Sequence, residues 1–431
     1  AVSMTSFAAG VETRYWSQDT QAEFEKGQLK KLSLRSDGRL SLAPVVRELA
    51  DLSLPYLWAA VPAGDGRTYV AGGPGSGKTA VYEVSASGQQ KKLVELEGMN
   101  IHALALDRMK RLYAATSPDG KVYRIKANGG AEVFYDPKAK YIWALSFDSA
   151  GNLLVATGDK GELHRVSPAG TGKVWMKLDE DHIRSLVLDS KGTVFVGTEP
   201  GGLIVRADAA GNAFVVHQTG KREVTALVAS ADGSVYAGAI GQKNSGNSSL
   251  LSTIPAAPPA SPAGQPGNAP AGAAQRIPVA NSMSQMATPV AGGSEVVKID
   301  NEGSPRKVWS HTTDLVYALA LDGAGRLMMG TGNGGALHRL DEASFSTRLV
   351  SLPATQVTAL VKGVNGEILV VTGNVGKLFA IGPGMEREGI FESEVFDVSS
   401  FARWGRVHKK EIANGGSLLI CLLYTSDAAD E

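Results

Sequence analysis

The sequence predicts an all-β fold, a β-propeller of seven four-stranded blades. Three observations carry the prediction. First, one strand-turn-strand unit recurs along the chain, and Ile101–Ile125, IHALALDRMKRLYAATSPDGKVYRI, is a clear copy. Second, the copies start at Leu57, Ile101, Ile142, Ile183, Val224, Val316 and Val357, at intervals of 44, 41, 41, 41, 92 and 41 residues. Third, apolar and polar residues alternate with a period of two inside the copies, and no stretch shows the 3.6-residue period of a helix. Short strands recurring in sets of four at a spacing of roughly 41 residues are the pattern of propeller blades. The copies at the two ends are the hardest to count, so six or eight blades stay open.

Each unit has the same parts. Strand A opens with a β-branched residue or Leu, then a variable residue, then Ala or Ser and an apolar residue. A turn such as Asp148-Ser149-Ala150-Gly151, Asp189-Ser190-Lys191-Gly192 or Asp322-Gly323-Ala324-Gly325 follows. Asp caps such turns through its carboxylate, and Gly takes the left-handed position. Strand B reads LYAAT, LLVAT, VFVGT, LMMGT or ILVVT, which puts Thr116, Thr157, Thr198, Thr331 and Thr372 at one position. A Gly-rich turn leads to strand C (KVYRI, ELHRV, LIVRA, ALHRL, KLFAI), and a weaker strand D follows (AEVFY, GKVWM, AFVVH, TRLVS).

In chain order, residues 1–27 read as a polar lead-in. Their first ten, AVSMTSFAAG, have the small and apolar character of the end of a signal peptide near its cleavage site; an arbitrary fragment start is the plain alternative. Residues 28–390 are the propeller. Within them, 28–55 alternate around Ser36-Asp37-Gly38, a hairpin signal expected to supply the strands that close the last blade. Residues 56–390 hold the seven repeats. The long interval is one repeat plus an insertion of about 51 residues, at 241–293. Rich in Pro, Ala, Gly and Ser, it is expected to be a disordered loop between strand B (SVYAGAI) and strand C (EVVKI) of the fifth repeat. In residues 391–416, EVFD and WGRV are expected to open a further, truncated β domain. Residues 417–431, ending SLLICLLYTSDAADE, share nothing with the repeat. They resemble translated adapter sequence at the ends of reading frames assembled from environmental DNA, and read as an artefact tail; a short apolar tail that docks on a partner is the alternative.

Composition narrows the function. The chain has 431 residues, 43% of them hydrophobic and 20% charged, enough for a sizeable core. Its 43 basic and 43 acidic residues give a formal charge of +0, unlike the basic surface of a nucleic-acid binder. No apolar run reaches the roughly 20 residues that span a bilayer. The one cysteine, Cys421, lies in the tail, so the repeats carry no disulfide framework and no thiolate metal site.

Gly72-Gly73-Pro74-Gly75-Ser76-Gly77-Lys78-Thr79 fits the P-loop pattern letter for letter. A working P-loop needs a helix next, whose N-terminus meets the phosphates. Here AVYEV follows, a strand C, so the segment reads as a lengthened turn between strands B and C and nucleotide binding is not expected. The histidines (His102, His164, His182, His217, His311, His338, His408) show no metal spacing, and His164 and His338 share one strand C position, as packing residues do. No nucleophile elbow, EF-hand or dinucleotide fingerprint occurs.

The informative variation lies at the second position of strand A: Trp58, His102, Trp143, Arg184, Thr225, Tyr317 and Thr358. Strand A is the innermost strand of a propeller, so these side chains can ring one mouth of its channel. His182, in the Asp179-Glu180-Asp181-His182 run, falls on the same face. Trp58, His102, Trp143, Arg184, Tyr317 and His182 are therefore the candidate ligand-binding residues; blade-to-blade packing is the competing role, above all for the aromatic ones. No catalytic residue, cofactor or metal ligand is singled out.

HIRSLVLDSKGTVFVGTEPGGL and YIWALSFDSAGNLLVATGDKGEL resemble the repeats of bacterial sensor-type propellers, with their "I.sl..D..G.lwiGT..gGL" pattern, and are similar to WD-repeat-like and NHL-like propellers of exported bacterial proteins. The resemblance spans roughly residues 56–390 and lacks the WD dipeptide. It implies the fold and an extracytoplasmic, bacterial setting, while propellers host lyases, lactonases, sensors and adhesion modules alike. The expected function is a non-catalytic binding or scaffold propeller that recognises a protein or a glycan on its loop face. A lyase or lactonase with a divalent metal such as calcium or zinc in the channel, and the sensor domain of a truncated receptor, are the alternatives.

Overall fold

The computed structural model describes residues 15–73, 77–126, 129–243, 292–342, 345–396, 405–412 and 415–421. The expected signal-peptide remnant, nearly all of the insertion at 241–293 and the last ten residues of the tail lie outside the described residues. The chain divides into two units, 1–392 and 393–431.

The first unit is all-β apart from single turns of helix. The repeats fold as the alternation requires. In the second repeat, Asn100–Leu106, Leu112–Ser117, Gly120–Ile125 and Ala131–Ala139 form one antiparallel sheet in the order A-B-C-D. The fifth repeat does the same with Lys221–Ala229, Val235–Gln242, Ser294–Ile299 and Pro305–His311. Ile240 pairs with Ser294 there, so the insertion leaves and re-enters at one hairpin end and does not divide the sheet. The third and fourth repeats are each four-stranded and are joined by the single pair Gly158 and His182.

Local chemistry sets the turns and the edges. The Asp148 carboxylate accepts hydrogen bonds from the backbone N–H of Ala150 (2.9 Å) and Asn152 (2.8 Å), and Gly151 takes φ 82°. Asp189, Asp208, Asp300 and Asp322 repeat the device. The Thr that ends strand B is fully buried and ties its own B–C turn. Thr157 Oγ1 donates to the Glu162 carbonyl at 2.8 Å and Thr331 Oγ1 to that of Ala336 at 3.1 Å, while Thr198 Oγ1 accepts from the Leu203 N–H at 3.0 Å.

The core lies between repeats and not within them. One cluster joins Tyr113, Ala115 and Val122 of the second repeat to Ile142, Val155 and Val166 of the third. Another joins Leu369, Val371 and Leu378 of the last repeat to Leu57, Val70 and Val84 of the first. A blade with two apolar faces is stable only against neighbours, and the last repeat finds its neighbour in the first.

Closure uses strands from both chain ends. The 18-residue strand Ile368–Met385 contains strands B and C of the last repeat. It pairs with Pro44–Pro62, whose first half supplies the outer strand of the last repeat and whose second half is strand A of the first. The hairpin around Gly38 is placed differently from expectation. Its strands Leu32–Arg35 and Leu40–Leu42 extend the sixth repeat, through Leu34 opposite Arg348, and the following segment from Pro44 closes the last repeat. The described part of the lead-in is also more ordered than its composition suggests: Gln21–Phe24 forms one helical turn, with a capping box of Thr20 and Glu23. Just after it, Gln28–Lys30 pairs with Ile390–Glu392.

The P-loop match begins and ends in the first sheet, and its residues 74–76 lie outside the described residues. Gly72 and Gly73 end strand Thr68–Gly73, and Lys78–Val84 is a strand where a P-loop has a helix. In the second unit, the described residues form neither helix nor strand, including those of EVFD and WGRV expected to open a β domain.

Candidate ligand-binding site at the ring of inner strands

Each strand A lies beside the strands A of the repeats before and after it, and the strand A of the last repeat lies beside that of the first. Their first residues, from Leu57 to Val357, are fully buried. The second residue is treated differently. In each of the seven copies the A–B ladder slips by one residue at this place, between Leu57 and Ala59, Ile101 and Ala103, Ile142 and Ala144, Ile183 and Ser185, Val224 and Ala226, Val316 and Ala318, and Val357 and Ala359. The skipped residue is the variable one. A β-bulge releases one residue from the ladder and re-aims its side chain. That frees Trp58, His102, Trp143, Arg184, Thr225, Tyr317 and Thr358 from the apolar alternation, so they vary while their neighbours stay small and buried.

The bulged side chains of the first four repeats form one contiguous arc. The Trp58 and His102 rings lie 5.3 Å apart, those of His102 and Trp143 4.9 Å, and the Arg184 guanidinium sits 3.8 Å from the Trp143 ring centre. The residue two before each bulged one joins the arc. Tyr56 stacks on Trp58 at 4.9 Å and Tyr141 on Trp143 at 5.2 Å. Trp58 Nε1 donates to Asn100 Oδ1 at 3.0 Å, and Trp143 Nε1 to His182 Nδ1 at 3.2 Å. Space for the rings comes from glycine at the end of strand B: a Cβ on Gly158 would stand 2.4 Å from both Trp143 Nε1 and His182 Nδ1.

Beyond Trp143 the arc becomes charged. Arg184 Nε lies 2.6 Å from Glu223 Oε1 and 3.7 Å from Glu199 Oε2, and Arg222 reaches Glu199 at 3.2 Å. Burial pushes the Glu199 carboxyl above its ordinary range, with Glu223 adding to the effect. Loss of hydration, then the Arg184 charge, pulls His102 down to about 3 and lowers His182 as well. Both imidazoles are therefore neutral at pH 7, and His182 Nδ1 is free to accept from Trp143. Burial, then Glu223, raises Tyr317 to about 12, so its hydroxyl stays protonated.

The six candidates do not all meet. Trp58, His102, Trp143, Arg184 and His182 are linked by contact, and Tyr317 is coupled to the charged end through Glu223 and Arg184. Thr225 and Thr358 serve the framework: their hydroxyls donate at 2.6 Å to the carbonyls of Val316 and Leu57, the first residues of the next strands A. In the Asp179–His182 run, Asp179 and Asp181 are exposed and Glu180 accepts the Gly201 N–H at 2.7 Å. Sequence reasoning missed Tyr56, Asn100, Tyr141, Glu199 and Glu223. The signals were present. Four of these stand two residues before a variable one, and Glu199 stands where other repeats have Gly158, Gly332 and Gly373. Among the described residues no group of three or more His, Cys, Asp or Glu side chains is placed to hold a metal ion.

Solved structures match this chain over most of its described fold. Streptogramin B lyase aligns with a TM-score of 0.57 at 11% identity, over 79% of this chain and 98% of that one. A protein described as the extracellular domain of a hybrid two component system from B. thetaiotaomicron aligns with a TM-score of 0.54 at 12% identity, over 78% of this chain and 39% of that one. The WD40 β-propeller domain of Doa1 gives 0.52 at 13%, over 79% and 97%. No protein-family model matches the chain, and no curated protein does. Identities this low show the fold alone: the chain is a β-propeller.

Proposed function

We propose that this chain is a non-catalytic, extracytoplasmic binding propeller of seven blades, and that it takes a glycan segment on the arc from Tyr56 to Glu223. The observation that carries the reading is the bulge in every strand A. It sets the non-repeating side chains of successive repeats side by side, where packing alone would ask for small apolar ones. Aromatic rings suit the C–H faces of sugar rings, and Arg184 with Glu199 and Glu223 offers donors and acceptors to hydroxyl groups. The near balance of charge in the arc suits a neutral polar ligand better than a polyanion. Seven cores, each shared by consecutive repeats and one joining last to first, support the blade count. Likeness to a domain described as extracellular supports the location and, for the same surface, a second reading as a receptor's sensor domain.

Titration of the intact chain with a panel of soluble neutral oligosaccharides, followed by tryptophan fluorescence, tests the proposal. Trp143→Ala and Arg184→Ala are each expected to weaken binding about tenfold or more, which is about 1.4 kcal/mol, with the circular dichroism spectrum unchanged. Binding of a protein and of no oligosaccharide would refute the glycan assignment, and hydrolysis or elimination of the bound sugar would refute the non-catalytic one.

A further inference from the structure

The outermost strand of each sheet leaves one side open. An open strand edge pairs with whatever strand it meets, and proteins defend it with charge, proline, short length or a cover. Six of the seven repeats carry such a defence. Lys92, Glu132, Lys173, Lys307 and Glu48 stand in the outer strands of the first, second, third, fifth and last repeats. The sixth is covered by Leu32–Arg35, and the edge that results is the three-residue strand Leu40–Leu42.

The fourth repeat is the exception. Its outer strand, Ala213–Gln218, reads AFVVHQ and holds no Lys, Arg, Asp, Glu or Pro. It ends its sheet, and among the described residues no strand lies on its outer side. Phe214 and Val215 are 49% and 59% exposed. Short uncharged runs of β-branched and aromatic residues are the ones that add strand to strand. The position of Val215 makes the contrast direct. In the C–D ladder it stands opposite Val205, and the same place is held by Lys92 opposite Tyr82 and by Lys307 opposite Val297.

The sixth repeat accepts an added strand at this very place. There the position belongs to Arg348, opposite His338; Leu34 of the covering strand pairs with it antiparallel, and Arg35 pairs with Thr347. Both C–D ladders slip by one residue at the same point, so the slip does not keep an incoming strand away. Val215 and Phe214 are the counterparts of Arg348 and Thr347, and among the described residues no strand covers them.

We infer that Ala213–Gln218 is a self-association edge: two copies of this chain pair these strands antiparallel, about a two-fold axis near Val215 and Val216. The strand suits its own copy. Antiparallel pairing sets each residue against one from the same charge-free run, so no like charges meet across the contact. An edge without charge offers nothing to a charged partner. A two-fold contact is also closed, because it uses up the edge and stops at two. Six residues a side is small for an interface, so the association is weak and depends on concentration. No residue of the arc lies in this strand.

Sedimentation velocity of the full chain between about 1 and about 300 µM measures the association. A monomer–dimer equilibrium is expected. Val215→Lys supplies the residue that the first and fifth repeats carry, and is expected to weaken the dimer tenfold or more with Tm unchanged. Val174→Lys, at the same position of the third repeat, is expected to leave it unchanged. Hydrogen exchange of the wild type serves if Val215→Lys does not fold: the amides of residues 213–218 are expected to slow at the higher concentration. The inference is overturned by a monomer throughout the range, by a dimer that survives Val215→Lys, or by an equal loss in Val174→Lys. Assemblies that grow beyond two, or exchange at 213–218 that ignores concentration, overturn it as well.

Discussion

At the scale of single residues, the arc is a set of neutral hydrogen-bonding rings held next to charge. His182 accepts from Trp143 through Nδ1 and so carries its proton on Nε2. His102 has lost its water and faces Arg184, which leaves it neutral down to about pH 3. An unfolded chain protonates this histidine near 6.5 and the folded one does not. Stability from this group is therefore intact above about pH 6.5 and is lost as the pH falls from there toward 3, with a slope of up to about 1.4 kcal/mol per pH unit. Denaturant unfolding of the wild type and of His102→Gln at several pH values between 4 and 7 checks this. The wild type is expected to lose stability relative to the variant toward the acid side, and parallel curves would refute the buried neutral state. Of the residues in the candidate site, those at the variable position and His182 were singled out in the sequence. It did not disclose that Tyr56 and Tyr141 would stack on them, because a repeat alignment marks variation and not contact.

At the scale of the element, the bulge in strand A explains why the alternation breaks at one place. The residue before the slip is fully buried and the residue after it is small, and both belong to the inter-repeat core. Ile142→Ala is expected to cost about 2–5 kcal/mol, measured by chemical unfolding. Leu145 reads in the sequence as an equally inward residue, but it is only half-buried and packs at the edge of the same cluster. Leu145→Ala should therefore cost clearly less than Ile142→Ala, and equal costs would contradict the register. Gly158 sets the other limit of the element. A methyl group there meets two ring nitrogens at 2.4 Å, so Gly158→Ala is expected to destabilise by about 1–3 kcal/mol and to shift the Trp143 fluorescence. The strand order and the turns were legible beforehand, since Asp–Gly turns and period-2 alternation are local. The bulge was not, because a one-residue slip in the ladder depends on the partner strand.

At the scale of the whole molecule, the ring is held shut by a segment from the other end of the chain. Residues from Pro44 add the outer strand of the last repeat and bring Leu49, Ala50 and Leu52 into its core. A chain beginning at Ser53 is expected to lose more than about 5 kcal/mol, from several buried side chains at about 2–5 kcal/mol each. Thermal unfolding measures it, and an unchanged midpoint would show that closure does not depend on this strand. The sequence by itself determined the β class, the repeat, the turns and the variable position of strand A, because each rests on local periodicity and turn chemistry. Tertiary structure alone decided which strands close the ring, that the hairpin around Gly38 joins the sixth repeat, and that rings and charges from four repeats meet in one arc. Those outcomes depend on contacts between residues as far apart as Leu57 and Thr358, whose meeting follows from burying both faces of every blade against the next.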